Sequence, residues 1–409
     1  MSKIPALQVL KNISYRYFLT TRICLTLALQ MQAVIIGWHI YKLTQDPLSL
    51  GLIGLAEAIP AISIALYAGH IADIYNKKKI LIFALTALAI CSVCLLLTVS
   101  IQNLTNKQVV WLMYLFILLS GFARGFYSPT AFSIIPQLIE RSLLTNASTL
   151  NSTSWQFAAV IGPALGGVFY AWLGIKASFI IILFFLLLAL FCISKIKLLF
   201  EPKTLNHEGI IFRLKEGIAF VFNNKIMLSA ISLDLFAVLF GGAVALLPIF
   251  ANEILKVGAE GLGMLRAAPS FGAVITMLFL SAGRNIKKPG KVLIKVVGAF
   301  GLCMIGFALS TNFYLSLLFL FLSGAFDSVS VVIRGNILQL ITPDEMRGRV
   351  SAVNTMFIGS SNEIGAFESG LAAKLLGTVP SVVFGGFVTL LVVGITQIKA
   401  KQLKHYEFP

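Results

Sequence analysis

The chain has 409 residues, of which 58% are hydrophobic and only 12% charged, and its mean hydropathy is +0.92. A soluble domain sits near half apolar and a quarter charged, so this composition excludes one and requires surface that faces lipid. The formal net charge of +16 does not indicate nucleic-acid binding, because the basic residues form no single patch and sit at alternate ends of apolar runs.

Windows of about 20 residues, enough to cross the hydrocarbon, predict twelve spans: 17–42, 50–74, 79–100, 109–139, 146–172, 177–197, 226–253, 260–283, 291–311, 313–341, 348–374 and 379–399. The first is too long for a signal-peptide core and lacks a small-residue cleavage site, so no cleavable leader is expected. Outside the spans, only Lys42, Lys107, Lys176, Lys256 and Lys374 fall on one side. The remaining lysines and arginines fall on the other, which marks that side, with both termini, as cytoplasmic. Segment 201–225 mixes Ile210, Ile211, Phe212, Leu214, Ile218 and Val221 with basic residues and predicts an amphipathic helix lying in the cytoplasmic interface. It divides the chain into six-span bundles at 1–200 and 226–409. Cys24, Cys91, Cys94, Cys192 and Cys303 all lie inside apolar runs. They read as small core residues, with no disulfide and no metal site.

Residues 119–174 repeat, without a gap, as 322–377. Leu119, Ser120, Gly121, Asn151, Gly162, Gly167 and Gly174 recur as Leu322, Ser323, Gly324, Asn354, Gly365, Gly370 and Gly377. The fold class predicted is an all-α membrane protein of twelve transmembrane helices in two pseudo-symmetric six-helix bundles. A parallel repeat of six spans is the plan of a secondary transporter with its site between the halves.

The second-to-third loop reads Gly69-His70-Ile71-Ala72-Asp73-Ile74-Tyr75-Asn76-Lys77-Lys78-Lys79. Gly69 lets helices approach, and Asp73 can pair with a cation or a helix N-terminus. Asn76 is expected to take a left-handed turn, and the lysines to stay in water. The fifth span carries Gly162-Pro163-Ala164-Leu165-Gly166-Gly167, whose small residues permit tight helix contact. Its repeat partner, Gly365 to Gly370, lacks the proline. Thr342-Pro343-Asp344-Glu345 reads as a capping box with proline at the first helical position.

The loop resembles the signature loop of the major facilitator superfamily, Gly-x-x-x-Asp-basic-x-Gly-basic-basic, with Ile74 and Asn76 departing from it. The resemblance implies the major facilitator fold, with spans one, four, seven and ten around the central cavity. It also implies that Gly69, Asp73, Lys77 and Lys78 form a gating loop that holds one end state of alternating access. The fifth-span residues Gly162, Pro163, Gly166 and Gly167 look like the Gly-Pro-x-x-Gly-Gly motif of the proton-driven export branch. The whole layout, with the run Ser360 to Gly365, is similar to the subgroup of enterobactin exporters and macrolide-type efflux proteins.

Ionisable groups inside a span are costly, so each is a functional candidate. The substrate and proton-coupling candidates are Arg22, Arg124, Asp234, Asp327, Arg334, Glu363 and Glu368, and Glu57 with Arg266 is a possible outer gate. Through the repeat, Arg124 maps onto Asp327, and Arg22 falls within two residues of the counterpart of Asp234. Two arginines of the first half thus stand opposite two carboxylates of the second. Pairing them in one state and parting them in another would change a carboxylate's affinity for a proton. A static buried pair is the plainer reading. His39 is expected to be solvated or capping.

These features predict a monomeric inner-membrane transporter without cofactor, whose partners are a small-molecule substrate, protons and the lipid bilayer. Proton-coupled efflux of an amphipathic drug, siderophore or related metabolite is the first reading, and import of a metabolite or siderophore by proton symport is the alternative. A receptor built on a transporter frame is a third. The chain has no Gly-x-Ser-x-Gly, His-Glu-x-x-His or Gly-x4-Gly-Lys-Ser/Thr motif, so an enzyme is not expected.

Overall fold

A computed structural model of the protein describes residues 8–198, 210–281, 288–343 and 346–407. Every regular element among them is helical. The long helices are α1 (Ile13–Thr44), α2 (Pro47–Ile74), α3 (Lys77–Ser100), α4 (Asn106–Ser133) and α5 (Leu144–Lys195). After them come α6 (Ile210–Asn223), α7 (Lys225–Gly241), α8 (Gly258–Ser281), α9 (Pro289–Leu309), α10 (Phe313–Ile341), α11 (Arg347–Leu376) and α12 (Thr378–Lys399).

Local chemistry sets several boundaries. Thr105 and Gln108 form a capping box at the start of α4. Asn224 and Asn312 each accept two backbone N–H groups at the starts of α7 and α10, satisfying donors that the first helical turn leaves open. At 52 residues, α5 would be about 78 Å long if straight, more than twice the hydrocarbon thickness of about 30 Å. It breaks at Gly174 (φ 78°, ψ 177°), a backbone region nearly closed to other residues. Its repeat partner Gly377 takes φ 93°, ψ 157° between α11 and α12. The two breaks fall at equivalent positions of the repeat.

Among the described residues, nine helical stretches are long and apolar enough to cross a membrane. That set counts α5 once and omits α2 and α11. Dividing α5 at Gly174 and adding those two helices is consistent with twelve spans.

The described residues form two compact units, one drawn from Met1–Leu43 and Ile59–His207, the other from Thr44–Ala58 and Glu208–Pro409. In the first, α3 packs on α4 and α5. In the second, α8 and α9 pack on α10, and α7 on α11 and α12. Helix α2 is shared: its first part packs in the second unit and the rest in the first.

One expectation changes here. The seventh span is not continuous: α7 ends at Gly241, and the chain passes through a 3-10 turn (Ala243–Leu246) and a π turn (Phe250–Ile254). Ser369 Oγ donates to the Gly242 carbonyl at 3.1 Å, one way a broken helix satisfies a freed backbone group away from water. The linker helix α6 forms as the pattern predicts, but it docks on α11. Val221 is fully buried against Val350 and Val353, and Glu216 pairs with Arg349. Residues 344–345 of the expected capping box at Thr342 lie outside the described residues.

Candidate functional site

The loop between α2 and α3 is built differently from its sequence-based reading. Asn76 has extended backbone (φ −61°, ψ 112°) and caps α3 by accepting from Lys79 N. A cap needs only a side-chain oxygen over the first turn, and that competes with the left-handed turn. The lysines do not all stay in water. Lys77 is buried, and Lys78 Nζ donates to the carbonyls of Ser194 and Ile196 at 2.8 and 2.7 Å. These are orphan acceptors where α5 ends, a place where an ammonium is favourable. The side chain of Asp73, and the surroundings of Gly69, lie outside the described residues.

The fifth-span glycines are explained by close approach. A Cβ on Gly162 would stand 2.7 Å from Gln30 Cβ, and one on Gly166 would stand 2.9 Å from the Cα of Met31, so α5 lies backbone to backbone on α1. In the second unit a Cβ on Gly365 would meet the Leu239 carbonyl of α7 at 2.8 Å. Helix α11 therefore uses α7 as α5 uses α1, as the repeat requires. Pro163 lies inside α5 without interrupting it.

Among the intramembrane charges, Asp234 of α7 pairs with Arg334 of α10, and both side chains are almost wholly buried (7% and 4% exposed). Ser330 Oγ donates to Asp234 Oδ1 at 3.4 Å. The sequence set Asp234 opposite Arg22 across the two halves. The structure gives it Arg334 of its own unit, because α7 and α10 pack together and Arg334 lies one turn beyond Ser330. Asp327 sits two turns before Arg334 on the same face of α10.

The start of α2 meets α11 through small residues. A Cβ on Gly51 would be 3.1 Å from the Cα of Gly370, and one on Gly54 would be 2.6 Å from Ala366 Cβ and 2.8 Å from the Glu363 carbonyl. At the Pro47 end, Lys374 Nζ and Asp46 Oδ2 are 3.2 Å apart. One turn past Gly54, Arg266 of α8 interacts with both Glu57 of α2 and Glu363 of α11. The expected Glu57–Arg266 pair is thus a three-member cluster drawn from three helices. Glu368 is half-buried one turn further along α11.

In the first unit, Arg22 of α1 lies beside Tyr127 of α4, and Arg124 is one turn before that tyrosine. His39 Nδ1 is 3.1 Å from Tyr170 Oη, so it has a specific partner instead of the solvated or capping role expected. Sequence reasoning missed Tyr127 as well as Asn151 and Asn354. The Oδ1 atoms of these two asparagines are buried without a hydrogen-bond partner. The repeat already aligned the two asparagines, and that recurrence of a polar residue in an apolar segment was the available signal.

Among the described residues every regular element is helical, and the many apolar spans, internal repetition and buried charges follow the plan of an integral membrane transporter. A family model described as "transmembrane secretion effector" matches residues 5–407. The chain belongs to that family, within the major facilitator superfamily. The enterobactin exporter EntS of Salmonella choleraesuis (strain SC-B67) is 24% identical over 387 residues, 93% of this chain and 91% of the relative. The uncharacterized transporter YfmI of Bacillus subtilis (strain 168) is 26% identical over 325 residues, 74% of this chain and 77% of the relative. Among solved structures, a D-xylose-proton symporter matches with a TM-score of 0.74 at 14% identity, covering 97% of this chain and 100% of that one, a likeness of fold alone. The protein is an integral inner-membrane transporter with a small-molecule substrate.

Proposed function

We propose that the chain exports an amphipathic small molecule by alternating access, driven by protons, as a monomer with both termini in the cytoplasm. The cluster of Glu57, Arg266 and Glu363 carries this reading. Two carboxylates share one guanidinium beside a tight helix crossing, so a charge is in excess in a site poor in water. A proton neutralises it and lowers the cost of holding the cluster within the span as α2 crosses α11. Glu57 stands next to Ala58, where α2 passes from one unit to the other. Other ionisable groups on the surrounding elements are Glu260 of α8, Asp327 and Arg334 of α10, Glu368 of α11, and the Asp46–Lys374 pair. Positive-inside topology puts the Pro47 end of α2 outside, which makes this crossing an outer gate. The enterobactin exporters among the relatives favour export of an amphipathic metabolite over import.

The test uses proteoliposomes with an imposed proton gradient, an amphipathic fluorescent solute and an internal pH dye. Solute moving against the proton flow, abolished by Glu57→Gln, is the expected result. Solute moving with the protons establishes the symport reading, and flux indifferent to the gradient removes proton coupling.

A further inference from the structure

We propose that the first unit holds an oxyanion-binding site, built from Arg22, Tyr127 and Arg124, that recognises the acidic head of an amphipathic organic anion. The inference deepens the transport reading above and rests on it for the identification of the anion as cargo.

The backbones of the two arginines stand at similar distances from their helix ends. Arg22 follows the first residue of α1, Ile13, by nine positions, and Arg124 precedes the last residue of α4, Ser133, by nine. Each is therefore about 14 Å from its helix end at 1.5 Å per residue. Those ends are neighbours: Asn12 Nδ2, just before α1, donates to the Leu138 carbonyl just beyond α4 at 2.9 Å. Arg124 and Tyr127 share a face of α4 at spacing three. Arg22 reaches that face from α1, close enough to couple electrostatically to the phenol.

The polar atoms are not used up by these contacts. Tyr127 is only 3% exposed, and neither its hydroxyl nor Arg22 Nε completes a hydrogen bond of good geometry. Buried polar groups are nearly always satisfied, so such leftovers point to a partner that comes and goes. The missing partner is an acceptor for Arg22 Nε, and the phenol can donate to the same group. The charge balance points the same way. The acidic residues in the first unit's sequence, Asp73, Glu140 and Glu201, stand at span ends or in the linker, and none occurs within α1, which carries Arg22. A planar carboxylate or a sulfonate fits the guanidinium fork of Arg22 and brings an acceptor to its Nε.

The full-length protein in phosphatidylcholine nanodiscs is titrated with 2-naphthoate and with its uncharged isostere, 2-naphthamide. Naphthoate is expected to bind and the amide to bind roughly 10- to 100-fold more weakly, the range for a charge-assisted hydrogen-bonded pair. Arg22→Gln should abolish that preference. Arg22→Lys should keep part of it, and Tyr127→Phe should weaken naphthoate alone, with folding checked by the thermal midpoint. Equal binding of acid and amide, or a preference that survives Arg22→Gln, overturns the site. Discs containing phosphatidylglycerol form a second arm, and naphthoate excluded there by stoichiometric lipid would assign the oxyanion pocket to a headgroup and overturn the cargo claim. Charge-selective binding without proton-driven flux would refute the transport reading while leaving the site. Flux without anion preference would do the reverse.

Discussion

Replacing Arg334 by Met leaves the Asp234 carboxylate 7% exposed with only the Ser330 hydroxyl, at 3.4 Å, to hold it. Breaking one partner of a buried pair costs about 3–5 kcal/mol, because the remaining charge is neither solvated nor paired. With an unfolding entropy of roughly 2.1 cal/mol/K per residue over 409 residues, that loss lowers the thermal midpoint by about 3–6 °C. The double variant Asp234→Leu/Arg334→Met removes both charges and keeps the site filled with apolar atoms. It should recover most of the loss, since an apolar replacement for a buried ion pair is often neutral. Scanning fluorimetry of wild type, both single variants and the double variant closes a thermodynamic cycle. A double variant as unstable as the sum of the singles refutes the pairing. The pair lies inside one unit, and proton coupling is assigned elsewhere, so the double variant should also transport. A folded but transport-dead double variant would refute its static role and return Asp234 to the coupling machinery.

Gly54→Leu puts a side chain where even a Cβ would stand 2.6 Å from Ala366 Cβ. Overpacking of this kind costs about 1–3 kcal/mol, and the crossing should yield before the helices do. A cysteine introduced at the Pro47 end of α2 should then react faster with a membrane-impermeant maleimide, and an unchanged rate argues against a gate there. Lys78→Met removes the ammonium from the Ser194 and Ile196 carbonyls. Hydrogen bonds to a charged group contribute about 1.5–3 kcal/mol when buried and less at a partly exposed helix end. A measurably lower thermal midpoint with unchanged membrane insertion is expected. Normal stability with inverted topology would show instead that Lys78 acts only as a topological charge.

The membrane class, the spans and the duplication were legible in the sequence because each depends on a short-range property. Apolar length decides whether a segment crosses lipid, and the aligned Gly174 and Gly377 marked breaks that the fold requires. The glycines of the fifth span were legible as a contact face for the same reason, although which helix they contact was not. Side-chain partners were another matter. Asp234 had arginines available from several helices, and only the packing of α7 on α10 selected Arg334. Lys78 looked like a solvated charge until the end of α5 supplied two open carbonyls within its reach. Glu363 was one carboxylate among several until the glycine crossing brought α2 against α11 and set Glu57 and Arg266 beside it. Tyr127 carried no signal, since a tyrosine inside an apolar span is ordinary until a guanidinium from a helix about a hundred residues away lies next to it. Hydrophobicity is summed along the chain and is therefore written in it, whereas a charge finds its partner through the directions in which packed helices aim their side chains, and tertiary structure alone fixes those.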